Sequence, residues 1–488
     1  MNRRAYLVSS VVAGVGFLTG CTTQEPPEHP TKPNPEIGSD DDTVRYRHGI
    51  EFDRVVDAVA DLGMDPTGTM PIDNQMAFAY HDGTLVQFPP GDYMVAAPHA
   101  ISGEKRRFGI RGMGDDNGDV TFHFPYAEGA FWFVHQDGGE DILLENFSID
   151  TDGKHVSIRC RTNGGSVIQD VEWRGFIPEK TDVLGQLLDP GCLSVDGVNT
   201  VRRVTIGRDG AHVSGHHSIT GEHSITAIRF YGKDTRTGRM DHVGETVLDD
   251  VRIHQIGSDG VRHTHGSGVV TVKGGLYKNC HLSSLRIHNG NHPSKNSSVT
   301  GATVVIDHDD AKSIGTGSWS EHASAGIMLD STGHGYAQPT YTDCDIICRS
   351  IVPDGGWGLI RGTNTGLSNP GGAVFQNCRI VNDTELQTIR IDPRKSSAER
   401  PHRIIFDDVS VTVTAKAQPE HAIFDLRDDW DGSIISDCRI SAPRGNFDGI
   451  HVQNCDDVTI KNTRIDVSGY ATVLTNATLN TDNLTYSR

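Results

Sequence analysis

The sequence predicts an all-β chain: a single-stranded right-handed parallel β-helix solenoid with an N-terminal capping helix. Three observations predict it. First, a short pattern keeps returning: an apolar residue, any residue, Asn or Asp, a small apolar residue, a polar residue, then an apolar residue. Phe375-Gln-Asn-Cys-Arg-Ile380 is one clear copy. Second, the Asn/Asp slot falls at positions 146, 170, 250, 279, 343, 377, 408, 437 and 462. A loose period of this kind marks a solenoid, in which no repeat buries its apolar face alone. Third, each copy alternates with period two, so the unit is a strand. Gly, Asn, Asp and Ser fill the intervals, as turns require.

Other copies are Leu144–Ile149, Ile168–Trp173, Leu248–Ile253, Tyr277–Leu282, Phe406–Val411 and Ile435–Ile440, with partial ones at Asp343–Ile346 and Asn462–Ile465. The chain has 488 residues and a formal net charge of −20. That length suits one large solenoid, and the repeats favour it over several ordinary domains. An acidic, Lys-poor surface predicts solubility in high salt, the alternative being an ordinary acidic secreted protein. No basic tract is present, which excludes nucleic acid as a partner. Cys280, Cys344, Cys378 and Cys438 occupy one slot of the repeat. Alternation turns that slot inward and predicts a column of small buried thiols, with a disulfide between neighbouring coils not required. No Cys-x-x-Cys pair suggests zinc.

Residues 1–21 begin Met-Asn-Arg-Arg-Ala-Tyr-Leu and end Leu18-Thr-Gly-Cys21 around an apolar run too short for a membrane span. Arg3-Arg4 with Tyr6-Leu7 resembles a twin-arginine export signal, and Leu18–Cys21 resembles a lipobox, which would make Cys21 the lipidated residue. Residues 22–48, rich in Pro, Glu, Asp and Thr, are expected to form a disordered tether. Together they place the protein outside the cell, anchored to the outer face of the membrane by lipid. Residues 51–63 show an apolar stripe of Phe52, Val55, Val56, Val59 and Leu62 and read as the capping helix, closed by Gly63. Residues 49–470 make the solenoid, and 471–488 a polar cap or tail.

Asp65-Pro-Thr-Gly-Thr, a short helical segment from Asp73 to Tyr80, and Phe88-Pro-Pro-Gly-Asp-Tyr93 follow. This stretch resembles the entry of the pectate-lyase-like, or pectin-lyase-fold, superfamily. The resemblance implies a right-handed β-helix of polysaccharide-handling type. It does not fix the chemistry, because that fold hosts lyases, hydrolases, epimerases, tailspike depolymerases and non-enzymatic surface proteins.

Stacking the repeats gives an outward column of Ser148, Glu172, Arg252, His281, Asp345, Arg379, Ser410, Arg439 and Arg464, and beside it Asp150, Arg174 and His254. Arg252, His254 and His281 are therefore expected on one face of neighbouring coils, about 5 Å apart. Arginines on such a face suit the carboxylates of an acidic polysaccharide, and Asp345 and Arg379 extend the strip. His263 and His265 share a strand face and, with Asp259, have the chemistry of a metal site or an acid–base pair, against the simpler account of ordinary histidines in a His-rich chain. A lyase would need a cationic base and neutralisation of a uronate carboxylate by Arg or Ca2+. Arg262 and Lys273 lie in the same central coils, with Asp259 and Asp307 as candidate Ca2+ ligands; Ca2+ is the one cofactor this reading admits. Asp309-Asp310 before Gly333-His-Gly335 resembles the polygalacturonase arrangement in order and spacing, but that family's upstream Asn-Thr-Asp and downstream Arg-Ile-Lys are absent. The expectation is an extracellular glycan-acting protein, a polysaccharide lyase before a hydrolase. The alternative is a non-catalytic glycan-binding or cell-envelope protein.

Overall fold

The computed structural model describes residues 45–487 apart from 99–100, 128–129, 152, 176–184, 208–224, 231–241, 265, 291, 314–324, 330–337, 352–357, 363–371, 394–402, 417, 419–420 and 429. It is a parallel β-helix of three faces. One coil shows the plan: Ala373–Gln376 on the first face, Arg379–Asn382 on the second, Ile389–Ile391 on the third. The next coil repeats it with Ile404–Asp407, Ser410–Val413 and Ala422–Arg427, each strand parallel to and in register with its predecessor. The third face is a 13-stranded sheet. Parallel strands joined by crossovers wind right-handed.

The Asn/Asp slot is the corner between the first and second faces. The sharp bend needs a left-handed residue, which Asn and Asp tolerate better than other residues with a side chain. Asn146, Asp170, Asp250, Asp343, Asn377, Asp408, Asp437 and Asn462 all have φ between 47° and 60°. The backbone N–H of each later corner reaches the next coil, as from Asn377 to the Asp407 carbonyl at 3.0 Å. Side chains add a ladder: Asn377 Nδ2 donates to Asp343 Oδ1 at 2.5 Å and Asn462 Nδ2 to Asp437 Oδ1 at 3.1 Å.

Asn279 is the exception. It is left-handed too, but it turns the chain from the second face to the third, stacked with Gln255. The first corner in the long intervals is made instead by Arg203, Gly274 and Gly301. Both corners demand a left-handed residue between alternating apolar positions, so the repeat alone does not say which corner a copy marks. Cys280 consequently leaves the column of Cys344, Cys378 and Cys438. All eight cysteines of the solenoid are buried free thiols, as expected.

Three boundaries differ from expectation. Residues 51–63 are not a helix: Arg54–Asp57 is a first-face strand paired with Thr84–Gln87. The Asp57 carboxylate then accepts the N–H groups of Val59 and Ala60 and makes a turn. The stripe arises because Phe52 and Val55 pack with Leu85 and Leu143. The helix of this region is Asp73–Ala79, whose Met76 and Ala79 enter the core. Residues 45–48 belong to no tether: Tyr46–Arg47 pairs antiparallel with Ile50–Glu51. Arg47 grips buried Glu145 through two hydrogen bonds of 2.9 and 2.8 Å. Residues 1–44, including Cys21, lie outside the described residues. At the far end, Thr472–Thr475, Leu479–Asp482 and Thr485–Ser487 add strands to all three faces. The polar composition of 471–488 reflects an end coil, where less apolar surface is covered.

The core is one long column stack. Phe375 is fully buried between Tyr341 and Phe406, with ring centroids 4.9 and 5.0 Å apart and the rings nearly parallel. In-register coils impose that stacking, since each coil rises by one strand spacing, about 4.8 Å. Among the described residues no helix is long and apolar enough to cross a membrane.

Candidate functional site

The third face carries the site. Its strands bury one column of apolar residues: Ile158, Leu188, Ile228, Val261, Leu285, Ile327, Ile360, Ile389, Phe424 and Ile450. Period two turns the next residue outward. That outward column reads Arg159, Asp189, Arg229, Arg262, Arg286, Met328, Arg361, Arg390, Asp425 and His451. Register pairs Arg159 with Asp189, Arg229 with Arg262, Arg262 with Arg286, and Arg361 with Arg390. The Cα atoms of these paired residues are therefore one coil spacing apart, about 4.8 Å.

Buried carboxylates hold these arginines in place. Asp189 is fully buried and takes Arg161 Nη2 at 2.7 Å and Arg159 Nε at 3.5 Å. The Arg159 guanidinium also lies 4.5 Å over the Trp132 ring, and its Nη1 is 3.0 Å from His135 Nε2. Asp259 is fully buried and sits 3.6 Å from Arg262 Nη1 and 3.7 Å from Arg286 Nη1, while Ser283 Oγ donates to it at 2.5 Å. Asp392 binds Arg361 at 2.6 Å and Arg390 at 3.0 Å. Asp425 binds Arg427 at 2.7 Å. A buried ion is tolerated only with such partners. Burial, with Arg390 and Arg427 nearby, holds the Arg361 pKa below the usual arginine range against the pull of Asp392. Arg159, Arg161 and Arg286 are buried, while Arg262, Arg361 and Arg390 keep part of their surface open and offer fixed guanidiniums suited to carboxylate or sulfate groups.

The residues singled out in sequence fall in several places. Arg262 is on this strip, as is Asp259. Arg252 is exposed on the second face beside Asp250, and in register with Leu276, not His281. His281 is buried beyond the second corner, because Asn279 marks that corner. Arg252 and His281 are therefore not stacked. His254 is in register with Lys278; its Nε2 is 3.4 Å from Asp310 Oδ2, which also binds Lys278 Nζ at 2.5 Å. His263 points into the core, its ring 4.5 Å from that of His288 and 5.5 Å from that of Phe230. It does not face a substrate. His265 lies outside the described residues. Lys273 is exposed on the first face, remote in register from the arginine strip. Asp345 and Arg379 do stack on the second face, bonded at 2.7 Å, with Ser410, Arg439 and Arg464 below them as the repeat predicts.

Ca2+ does not fit the proposed ligands. Asp259 and Asp307 are on different faces, and each already meets cations: Arg262 and Arg286 for the first, Arg349 at 3.7 Å for the second. A divalent ion at Asp259 would sit against two guanidiniums. Among the described residues no group of three His, Cys, Asp or Glu could hold a metal. Asp309 and Asp310 lie on a short helix, His308–Ser313, after a second-face strand, and His334 lies outside the described residues.

Sequence reasoning missed Arg159, Arg161, Asp189, Arg286, Arg361 and Arg390. A signal was present: Ile-Arg recurs in third-face segments as Ile158-Arg, Ile228-Arg, Ile360-Arg and Ile389-Arg, with Val261-Arg and Leu285-Arg. It carries no Asn/Asp landmark, and connections of uneven length break its period.

No protein-family model matches the sequence, and no curated protein does. Among solved structures, the chain is similar to the Streptococcus pneumoniae surface adhesin PfbA, with 11% identity, 88% of this chain and 91% of that chain covered, and a TM-score of 0.40. It is similar to the catalytic unit of an α-1,3-glucanase from Streptomyces thermodiastaticus, at 16% identity, 89% and 69% coverage and a TM-score of 0.44. A mannuronan C-5 epimerase A-module from Azotobacter vinelandii matches at 11% identity, 88% and 99% coverage and a TM-score of 0.37.

Proposed function

We propose that this is an extracellular protein that receives an acidic polysaccharide along its third face. The observation that carries this reading is the arginine column, held by the carboxylates of Asp189, Asp259 and Asp392. A chain that is acidic overall here gathers cations on one strip. Coil spacing of about 4.8 Å is close to the advance of one sugar, so successive guanidiniums can meet successive acidic groups.

Of the chemistries open to such a strip, β-elimination fits better than hydrolysis. Guanidinium neutralisation of a uronate carboxylate acidifies the adjacent C–H, which a base then removes while the glycosidic oxygen leaves. Arg361, desolvated and beside Arg390, is the described residue of the column best suited to be that base once substrate draws it from Asp392. Hydrolysis needs a carboxylic acid and a carboxylate left available on one face. Asp189, Asp259, Asp392 and Asp425 are each engaged by arginine. The same engagement favours a second reading, in which the strip binds glycan without turning it over. Export by a twin-arginine signal, lipidation at Cys21 and a salt-rich habitat complete the proposal, supported by the motifs at 1–21 and the acidic composition.

The test is direct. Purified protein in high salt is incubated with acidic and neutral polysaccharides, and reducing ends and the ultraviolet absorbance of unsaturated uronates are followed together. Both signals rise for a lyase, and Arg361→Ala abolishes them. Reducing ends alone would overturn elimination. Retention by an acidic polysaccharide without either signal would leave the binding reading.

A further inference from the structure

Asn-x-Ser/Thr, the acceptor motif for N-linked sugar, occurs at Asn146, Asn296, Asn382, Asn476 and Asn483. The fold separates these copies. Asn146 donates through Nδ2 to the carbonyls of Gly112 at 3.1 Å and Gly114 at 2.9 Å, and its motif hydroxyl, Ser148, is buried between coils. Asn382 is fully buried and donates to the Leu386 carbonyl at 2.7 Å and the Thr388 hydroxyl at 2.9 Å. Asn296 accepts from Asn289 at 3.2 Å. Its motif ends in Ser298, which pairs with Thr271 on one side and Thr340 on the other. A sugar on any of these three would require buried groups or an interior strand to come apart.

Asn476 and Asn483 are different. Both are exposed, as are their motif hydroxyls, Thr478 and Thr485. Both stand at left-handed corners, with φ of 47° and 53°. Asn483 Nδ2 donates to Asn462 Oδ1 at 3.1 Å, and an amide that carries a sugar keeps one N–H for such a bond. The two motifs belong to the coil of Thr472–Thr475, Leu479–Asp482 and Thr485–Ser487. Among the described residues no strand pairs with the outer edge of that coil, so an enzyme can reach Asn483-Leu-Thr485 from the open side. The edge also lacks its usual protection. Exposed edges are ordinarily blunted by charge or proline, because their unpaired N–H and C=O groups invite another chain. Residues 470–487 hold one charged side chain, Asp482, and neither Lys nor Pro. A bulky hydrophilic sugar at each corner would block that pairing.

We propose that Asn483 and Asn476 carry N-linked sugar on the outside of the cell. The proposal rests on the export reading, since a protein exported folded offers a glycosylating enzyme only its surface. The donor is an oligosaccharide carried on a lipid phosphate. Asparagine Nδ2 attacks C1 of the sugar, a C–N bond forms, and the C–O bond to the phosphate breaks. One amide proton ends on the departing lipid phosphate, and nothing is oxidised or reduced.

The experiment uses the full chain, isolated from the cells that naturally make it. Trypsin releases residues 465–488 as one peptide that holds both motifs. Mass spectrometry is expected to show sugar on this peptide, with fragment ions placing it on Asn483 and Asn476. The peptides of Asn146, Asn296 and Asn382 are expected to be bare. Asn483→Gln should remove the sugar at that corner. Should this variant fail to fold, Thr485→Ala removes the motif and leaves the corner asparagine in place. A bare Asn483 in the natural protein, or sugar on Asn146, Asn296 or Asn382, would overturn the proposal. Labelling intact cells with a membrane-impermeant amine reagent tests export separately. Labelled protein with a bare Asn483 overturns the sugar sites alone; unlabelled protein with a bare Asn483 overturns the export reading as well.

Discussion

The second and third faces of this solenoid are built from the same strands and the same alternation, yet they spend their charges differently. On the second face, Arg379, Arg439 and Arg464 stand exposed, and pairs such as Arg379 with Asp345 are open to water. Surface pairs of this kind contribute about 0–1 kcal/mol. On the third face, Asp189 and Asp259 are fully buried and their arginines are mostly shielded. Charge there is fixed in place at a desolvation cost. The comparison separates arginines open to water from arginines whose geometry a buried carboxylate sets.

The largest effects should come from that buried layer. Asp189→Ala leaves Arg161 and Arg159 without their shared carboxylate and is expected to destabilise by about 3–5 kcal/mol, read from urea unfolding. Should it cost less than a surface substitution, the third face would be no different from the second. Phe375→Ala, which opens the ring stack beneath both faces, should cost about 3–5 kcal/mol by the same measurement.

A pH effect separates interior from surface next. His242 is fully buried, accepts the Cys192 N–H at Nδ1 and lies 3.1 Å from the Val269 carbonyl through Nε2. Burial pushes its pKa down to about 4, against the hydrogen bond to Val269. The unfolded chain therefore takes up a proton first as pH falls. Stability is full above about pH 6.5, declines from there to about 4, and is flat below, a loss of about 3 kcal/mol for this group. His155, also pushed down to about 4 by burial, adds to the same window. Unfolding midpoints in urea across that window should fall, and His242→Gln should flatten part of the slope.

Smaller effects test the corners. Asp408 has φ of 53°, so Asp408→Val should cost about 1–2 kcal/mol while Asp408→Gly changes little. Smallest of all, Arg439→Ala should stay within about 0.5 kcal/mol of wild type. Thermal melting of both variants checks this.

The unequal faces also explain what the sequence disclosed. The first corner was legible because Asn and Asp are selected by backbone strain, and strain leaves a residue-type signature. The exposed second-face column, Asp345 to Arg464, followed correctly from it. The slip at Asn279, which misplaced His281 and Cys280, came from two corners sharing one conformational demand. Arg203, Gly274 and Gly301 met that demand without the Asx signature, so their coils stayed hidden. The third face was not legible because its register depends on connections of uneven length. Which arginine meets Asp189 or Asp259 is decided across coils, not along the chain.

The central claim is that the third face, and not the second, receives an acidic polysaccharide. Its most direct measurement is affinity electrophoresis through gels containing polygalacturonate or alginate, comparing an Arg262→Ala/Arg286→Ala variant with an Arg439→Ala/Arg464→Ala variant. Both remove the same charge, so net mobility in a blank gel is matched. The account predicts that retardation is lost, at least tenfold in affinity, only in the third-face variant, with circular dichroism showing both folded at the assay temperature and the third-face variant melting lower because Asp259 loses its cations. Equal loss in the two variants, or loss confined to the second-face variant, would contradict it.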